Sequence, residues 1–314
     1  MRRYFNTEGA CRPEEHYMVA LDTRLEWIKT MLVDRKKYFV INKGRQFGKT
    51  TTLKALAKYL ATDYVIFSLD FQKMGTITFG DETTFSKGFI DKLLAALRRA
   101  ASENEKMLQV MLSDFKDNNS NVIMDDLFAF LSSMCERSSR PVVLMIDEVD
   151  SASNNQVFID FLAQLRAYYL DRDETPTFHS VILVGVYDIK NLKLKLRAES
   201  EHQYNSPWNI AADFDVDMSF SMSQIAGMLE EYEADSHTGM NIQEMAGEIH
   251  QYTSGYPVLV SSICKYIDEK LVGKDGFDDL GRAWTRAGIE EAVKSILTDR
   301  MPLFESMIRH LDDY

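Results

Sequence analysis

The sequence predicts an α/β protein: a mostly parallel sheet covered by helices, followed by an all-helical subdomain. Three observations carry this expectation. Apolar, β-rich runs at about 38–43, 63–71, 142–147 and 179–187 alternate with helix-patterned stretches, the signature of a parallel α/β sheet. The first run opens into a glycine-containing loop that ends in Gly-Lys-Thr and continues as the helix-like TTLKALAKYL. Beyond about residue 220 the strand pattern stops and only helical spacing remains.

Taken in order, residues 13–34 carry Met18, Leu21, Leu25, Ile28, Met31 and Leu32 at helical spacing, which predicts a helix before the first strand. The helix after the glycine loop extends to about Leu60. Residues 63–71 read as a second buried strand and 72–82 as a loop with Gly75 and Gly80. Helices follow at 83–113 and 122–137. Residues 142–147 form an unbroken apolar run into Asp147, as expected of a central strand buried on both faces. A long helix at 154–171 and a fourth strand at 179–187 come next, and residues 216–220 suit a short fifth strand. Residues 223–235, 241–252, 257–272 and 286–313 read as helices. The expected division is 1–220 for the sheet-bearing core and 221–314 for the helical subdomain, the boundary being a change of pattern and not a linker.

The 314 residues are 45% hydrophobic and 27% charged, ordinary for a globular protein of one large or two medium domains. The net charge of −12 argues against a surface built broadly for nucleic acid. Cys11, Cys135 and Cys264 are odd in number and widely spaced, which fits reduced thiols in a cytoplasmic protein better than a disulfide frame or a zinc site. No signal segment and no apolar run of membrane-spanning length is visible. The final LFESMIRHLDDY reads as an amphipathic helix that stops, which suggests part of a longer chain.

The chemistry is concentrated in two motifs. In the segment Tyr38-Phe-Val-Ile-Asn-Lys-Gly44-Arg45-Gln46-Phe47-Gly48-Lys49-Thr50-Thr51, strand, glycine loop, Lys-Thr and helix stand in the order of a phosphate-binding loop. Glycine lets backbone N–H groups curl around phosphate oxygens, and the helix N-terminus adds unpaired N–H groups and a positive dipole end. Lys49 is expected on the β- and γ-phosphates and Thr50 on Mg²⁺. The common pattern G-x-x-x-x-G-K-[ST] places its first glycine at position 43, where this chain has Lys43 with Gly44 next. Either the opening turn differs or Lys43 reaches the required dihedral angles at a cost.

The second motif is Asp147-Glu148 at the end of the third strand, the edge at which open α/β sheets bind ligands. Asp147 is expected to support Mg²⁺, and Glu148 to orient and deprotonate the attacking water. The neighbouring strand ends at Gly185-Val186-Tyr187-Asp188, which brings Tyr187 or Asp188 forward as the polar group that senses the γ-phosphate. Arg45, Arg166, Arg172 and Arg197 are candidates for stabilising transition-state charge. Lys190, Lys193, Lys195 and Arg197 form a basic stretch in an acidic chain; a solvated face and a partner or nucleic-acid surface both fit it. In the helical part, Gly255 suits a helix C-terminal cap and Pro257 the first turn of the next helix. That turn brings Tyr256 and Pro257 to where an adenine base could pack.

The segments YFNTEGACRPEEHYMV, INKGRQFGKTTTLKALAKYL, VVLMIDEVDSASNNQVFIDFLAQLRAYY, GVYDIKNLK, SPWNIAADF and YTSGYPVLVSSICK together resemble bacterial AAA-like ATPases over essentially the whole chain. That group often lacks the first glycine of the loop, as here at Lys43. The resemblance implies the ASCE division of P-loop NTPases, a sheet of order 5-1-4-3-2, and a helical lid. In that lid Gly255-Tyr256-Pro257 resembles the G-x-P motif that meets the adenine end of the nucleotide. Many members carry a C-terminal nuclease-like domain of the PD-(D/E)XK class; no such segment is evident here, so the chain resembles the ATPase portion.

The first expectation is therefore Mg²⁺-dependent ATP hydrolysis that drives or switches an attached effector or protein partner. The second is an ATP/ADP-binding switch with little intrinsic turnover. A third, a nucleic-acid-linked ATPase, is opposed by the net charge. No membrane partner is expected, and a homo-oligomer is compatible with all three.

Overall fold

The computed structural model describes residues 2–100, 105–186 and 208–299. The strands are β1 (Tyr38–Asn42), β2 (Val65–Asp70), β3 (Val142–Asp147) and β4 (Ser180–Gly185). The helices are α1 (Asp22–Ile28), α2 (Lys49–Leu60), α3 (Glu82–Ala100), α4 (Lys106–Asn118), α5 (Met124–Arg137), α6 (Gln156–Leu170), α7 (Met222–Ser236), α8 (Ile242–Thr253), α9 (Pro257–Tyr266), α10 (Leu280–Ala283) and α11 (Arg286–Asp299). The chain divides into two compact units, one of Arg24–Asn42 and Leu53–Asp215, the other of Met1–Thr23, Lys43–Thr52 and Val216–Tyr314.

The first unit holds a fully parallel sheet in the order β1-β4-β3-β2. Every residue of β3 and β4 is buried, as their uninterrupted apolar runs require of central strands. At the edge, β2 alternates buried and half-buried positions, because one side of an edge strand has less cover. Aromatic side chains fill the layer above the sheet: Phe161 packs against Phe85, Phe89 and Phe128 with ring centroids 5.0–5.5 Å apart. Such edge-to-face and tilted pairs favour a fixed arrangement beyond simple area burial.

The order of the four strands is the expected one, but no fifth strand forms at 216–220 among the described residues. The place beside β1 is taken by a single parallel bridge, in which Ala212 N–H donates to the Tyr38 carbonyl at 2.8 Å. Further on, Asp217 accepts the N–H of Ser219 at 2.9 Å. Local side-chain bonds of this kind offer the backbone an alternative to a ladder.

Two helix expectations and one loop expectation change in detail. The helix expected over 13–34 begins at Asp22 and ends in a π-type turn, Lys29–Val33. Residues before it are extended or turned: Tyr4 N–H donates to the Glu15 carbonyl and Tyr17 N–H to the Tyr4 carbonyl, each at 3.1 Å. The helix expected over 83–113 is two, α3 and α4. The loop expected at 72–82 contains two 3₁₀ turns, Phe71–Lys73 and Thr76–Phe79. The last helix is described to Asp299, and the remainder of its expected span lies outside the described residues. No helix among the described residues is long and apolar enough to cross a membrane.

The second unit is discontinuous in sequence because the N-terminal residues fold with the last helices. Ser221 and Gln224 form a capping box at the start of α7, which satisfies N–H groups that a helix start leaves unpaired. Phe5 is 1% exposed, with ring centroids 5.1 Å from Tyr17, 5.0 Å from Tyr232 and 6.1 Å from Trp284. Around this cluster Arg2 pairs with Asp268 at 2.9 Å and Arg3 with Glu231 and Asp235. The Tyr17 hydroxyl donates to Asp235 at 2.9 Å. Exposed pairs of this kind add little stability, so the ring carries the attachment. Phe5→Ala is expected to destabilise this unit by about 3–5 kcal/mol, as for large core truncations. Chemical denaturation followed by tryptophan fluorescence checks it, and a loss below about 1 kcal/mol would show that the segment is dispensable to the core.

Candidate functional site

The glycine loop leaves the sheet at Asn42, the last residue of β1. Because β1, β3 and β4 are parallel, Asn42, Asp147 and Gly185 all close the carboxyl edge of the sheet. That is the edge at which the sheet can offer loop ends to a ligand.

Within the loop, left-handed backbone falls at Gln46, with φ 59°, and at Gly48, with φ 74°. Lys43 is not among the residues of positive φ. The opening turn therefore differs from the common pattern, and Lys43 needs no special dihedral angle. Gly48 suits its conformation as glycine does; a non-glycine residue there or at Gln46 is held at a cost of about 1–3 kcal/mol. Gly44 answers a different need, since a Cβ at that position would stand 3.3 Å from the Phe47 ring.

Lys49, the first residue of α2, is 8% exposed. Its ammonium group donates to the carbonyls of Lys43 at 2.7 Å and Gly44 at 2.8 Å. The Arg45 carbonyl accepts from the Tyr256 hydroxyl. The Phe47 and Tyr256 rings meet edge-on with centroids 4.3 Å apart. Thr51 does not stand free at the helix start: its hydroxyl oxygen accepts the Cys11 N–H at 3.1 Å.

Tyr256 lies in the turn between α8 and α9, whose shape is closely determined. Thr253 donates its hydroxyl to the Ile249 carbonyl at 2.7 Å, and Gly255 N–H donates back to that hydroxyl oxygen at 3.1 Å. Ser254 and Gly255 are both left-handed, at φ 47° and φ 74°. A Cβ on Gly255 would fall 2.0 Å from the Phe220 carbonyl oxygen, and Phe220 N–H donates to the Gly255 carbonyl at 2.8 Å. Only glycine fits there. Pro257 begins α9, where its missing N–H costs no helical bond. Burial pushes the Tyr256 phenol up to about 12, so at neutral pH it is a protonated donor.

At the sheet edge, Asp147 is buried and Glu148 half-buried. Glu148 is left-handed at φ 56°, and its N–H donates to the Asp147 carboxylate at 3.0 Å. A strained non-glycine residue directly after a buried strand marks a position that its surroundings enforce. Asp150 holds the neighbouring strand end: it accepts the Val186 N–H at 2.5 Å, and a Cβ on Gly185 would stand 2.9 Å from both its carboxylate oxygens. Sequence reasoning assigned Gly185 and Asp150 no joint role. The signal was present, a third acid three residues after Asp147, but its partner lies 36 residues away. Asp70 ends β2 directly opposite Asp147, where it caps the next turn through Gln72 N–H and pairs with Lys73.

The candidate arginines separate. Arg45 is exposed in the loop. Arg166 donates to Asn209 at 2.7 Å. Arg172 donates to the Tyr169 carbonyl and lies 4.0 Å over its ring, and Tyr169 packs on Tyr38 at the amino end of β1. Arg172 therefore belongs to the sheet edge opposite Asp147. Arg197, Tyr187, Asp188 and the basic stretch at 190–197 lie outside the described residues.

A family model described as an AAA-like domain matches residues 28–289. No curated protein matches the chain. Among solved structures, the Aeropyrum pernix ORC2 protein in ADPNP-ADP complexes is similar with a TM-score of 0.50 at 11% identity, over 91% of this chain and 68% of that one. The Aeropyrum pernix ORC1 protein in complex with DNA is similar with a TM-score of 0.49 at 9% identity, over 89% of this chain and 66% of that one, just under two thirds of its length. The ORC2 likeness concerns the fold: helices flank a parallel sheet in both.

Proposed function

The chain belongs to the AAA-like domain family, and from that premise we propose that it binds ATP and hydrolyses the γ-phosphate with Mg²⁺. The observation that carries this reading is the loop at 43–48 running into α2, with Gly48 at φ 74° directly before Lys49. A flexible-backbone residue, a lysine and a helix N-terminus in sequence suit a polyphosphate. The donor types also suit the metal: Thr50 and Asp147 each carry a hard oxygen, and Mg²⁺ is commonly held by one or two carboxylates together with substrate phosphates. Bound Mg²⁺ would neutralise charge on the phosphates. Gly44, Arg45, Gln46, Phe47, Gly48, Lys49, Thr50 and Thr51 form the proposed phosphate side, and Gly255, Tyr256 and Pro257 the turn beside the nucleotide. Lys49 neutralises phosphate charge, Glu148 takes the proton of the attacking water on a carboxylate oxygen, and Tyr187 or Asp188 senses the γ-phosphate.

By role we assign residues 1–220 as the ATPase core and 221–314 as its lid, although by compactness Met1–Thr23 and Lys43–Thr52 group with the residues from Val216 onward. We place the protein in the cytoplasm and assign its product state to the control of an effector, of which a C-terminal nuclease-like domain is one form. The contact of Tyr256 with the loop supports this coupling, because it gives the helices after residue 216 a direct link to the phosphate-binding backbone. The structural relative ORC2 is described in complexes with ADPNP and ADP, which agrees with a nucleotide ligand.

Phosphate release from ATP, measured with Mg²⁺, with EDTA and with added DNA, tests the proposal. Turnover that requires Mg²⁺ and proceeds without DNA is expected. Tight ADP retention with no turnover would favour the switch. Failure to bind either nucleotide at millimolar concentration would remove the reading altogether.

A further inference from the structure

We propose that Tyr256 is a positioning residue for the phosphate loop, bracing its backbone through Arg45 and Phe47 and so setting how long a nucleotide stays bound. This rests on the nucleotide reading above. It adds to the base-side role that the turn's resemblance implies, because the contacts Tyr256 makes are with the loop.

Three successive loop carbonyls have donors. Lys43 and Gly44 accept from Lys49, and Arg45 accepts from Tyr256. A trans peptide directs its N–H opposite to its carbonyl, and the structure has no cis peptide bond among its described residues. Anchoring these carbonyls therefore fixes the orientation of the peptide units that carry the N–H groups of Gly44, Arg45 and Gln46. Backbone N–H groups are what a phosphate loop has to present, so how these peptides are set bears on phosphate binding. Lys49 belongs to the same loop and helix; Tyr256 reaches it from 211 residues away.

The geometry gives Tyr256 two holds. The hydroxyl fixes the carbonyl directly before Gln46, the non-glycine residue at φ 59°. The ring meets Phe47 directly after it. A left-handed non-glycine residue persists only where its surroundings enforce it; Tyr256 bonds the peptide before Gln46 and packs on the side chain of the residue after it. The phenol is itself fixed, since Gly255 is locked against the Phe220 backbone and Pro257 starts a helix. Tyr252, on α8 and 44% exposed, provides a control of the same chemistry.

Tyr256→Phe removes one hydroxyl and keeps the ring. Release of a fluorescent ADP analogue is expected to quicken about three- to tenfold, the worth of a single hydrogen bond. The unfolding midpoint should fall by no more than the few degrees that one hydrogen bond is worth, and faster amide exchange should be confined to residues 44–48. Tyr252→Phe should change neither. Unaltered release in Tyr256→Phe, or exchange that quickens throughout α8 and α9, would overturn the proposal. Tryptic cleavage after Lys43 and Arg45 in the nucleotide-free protein gives a separate reading: Tyr256→Ala should speed it several-fold. If the unmodified protein binds no nucleotide while Tyr256→Ala still speeds cleavage, the nucleotide reading fails and the bracing stands. If nucleotide binds normally and Tyr256→Ala leaves cleavage unchanged, the bracing fails alone.

Discussion

Lys49→Ala is expected to weaken ATP binding by about a hundredfold or more, and ADP binding by less because ADP lacks the γ-phosphate, while the far-ultraviolet spectrum stays unchanged. The estimate follows from charged hydrogen bonds to two phosphates at roughly 1.5 kcal/mol or more each. A second loss adds to it. The ammonium group bonds the carbonyls of Lys43 and Gly44, so alanine removes the donor that shapes the loop before the nucleotide arrives. Lys49→Arg should not restore binding, because the guanidinium is larger and planar and the Lys49 site is buried. Titration calorimetry with a non-hydrolysable ATP analogue reads the effect directly. Binding within about threefold of the unmodified protein would show that the loop is not the phosphate site.

Glu148→Gln should leave ATP affinity close to normal and slow turnover by about 10²–10⁴-fold, the usual worth of a general base. Glutamine has nearly the same shape and no free carboxylate to accept a proton. It can adopt the backbone of Glu148 at φ 56°, as Gln46 does at φ 59° elsewhere in the chain. The bond to the Asp147 carboxylate is donated by the backbone N–H of residue 148 and survives the change. A variant that holds ATP without consuming it is the expected outcome in a filter-binding and phosphate-release comparison. Turnover at the unmodified rate would move the base elsewhere. Asp150 would be a poor substitute, because its carboxylate anchors Val186 and packs against Gly185.

Much of the fold was legible because its signals are local or periodic. The apolar runs at 142–147 and 179–187 predicted strands, and β3 and β4 are buried throughout. The fifth strand was not legible. Residues 216–220 have suitable composition, but Asp217 bonds to Ser219 and the edge of β1 takes only the bridge from Ala212. The N-terminal helix was overextended for a similar reason. Residues 13–21 have helical spacing, yet Tyr4 pairs with Glu15 and Tyr17, and such pairing depends on residues that a periodicity window does not compare.

In the site, residue identity alone marked out Gly44 through Thr51, Asp147, Glu148 and the turn at Gly255. Glycine before lysine, and an acid pair after an apolar run, are chemical patterns that survive without coordinates. The departure at Lys43 was also visible, but its resolution was not. Only the tertiary structure moved the left-handed position to Gln46, set Phe47 over Gly44, and brought Tyr256 to the Arg45 carbonyl from the far end of the chain. The physical reason is separation. A strand, a cap or a phosphate-loop pattern is specified by neighbours within a few residues, whereas the shape of this loop depends on a hydroxyl that folding alone delivers.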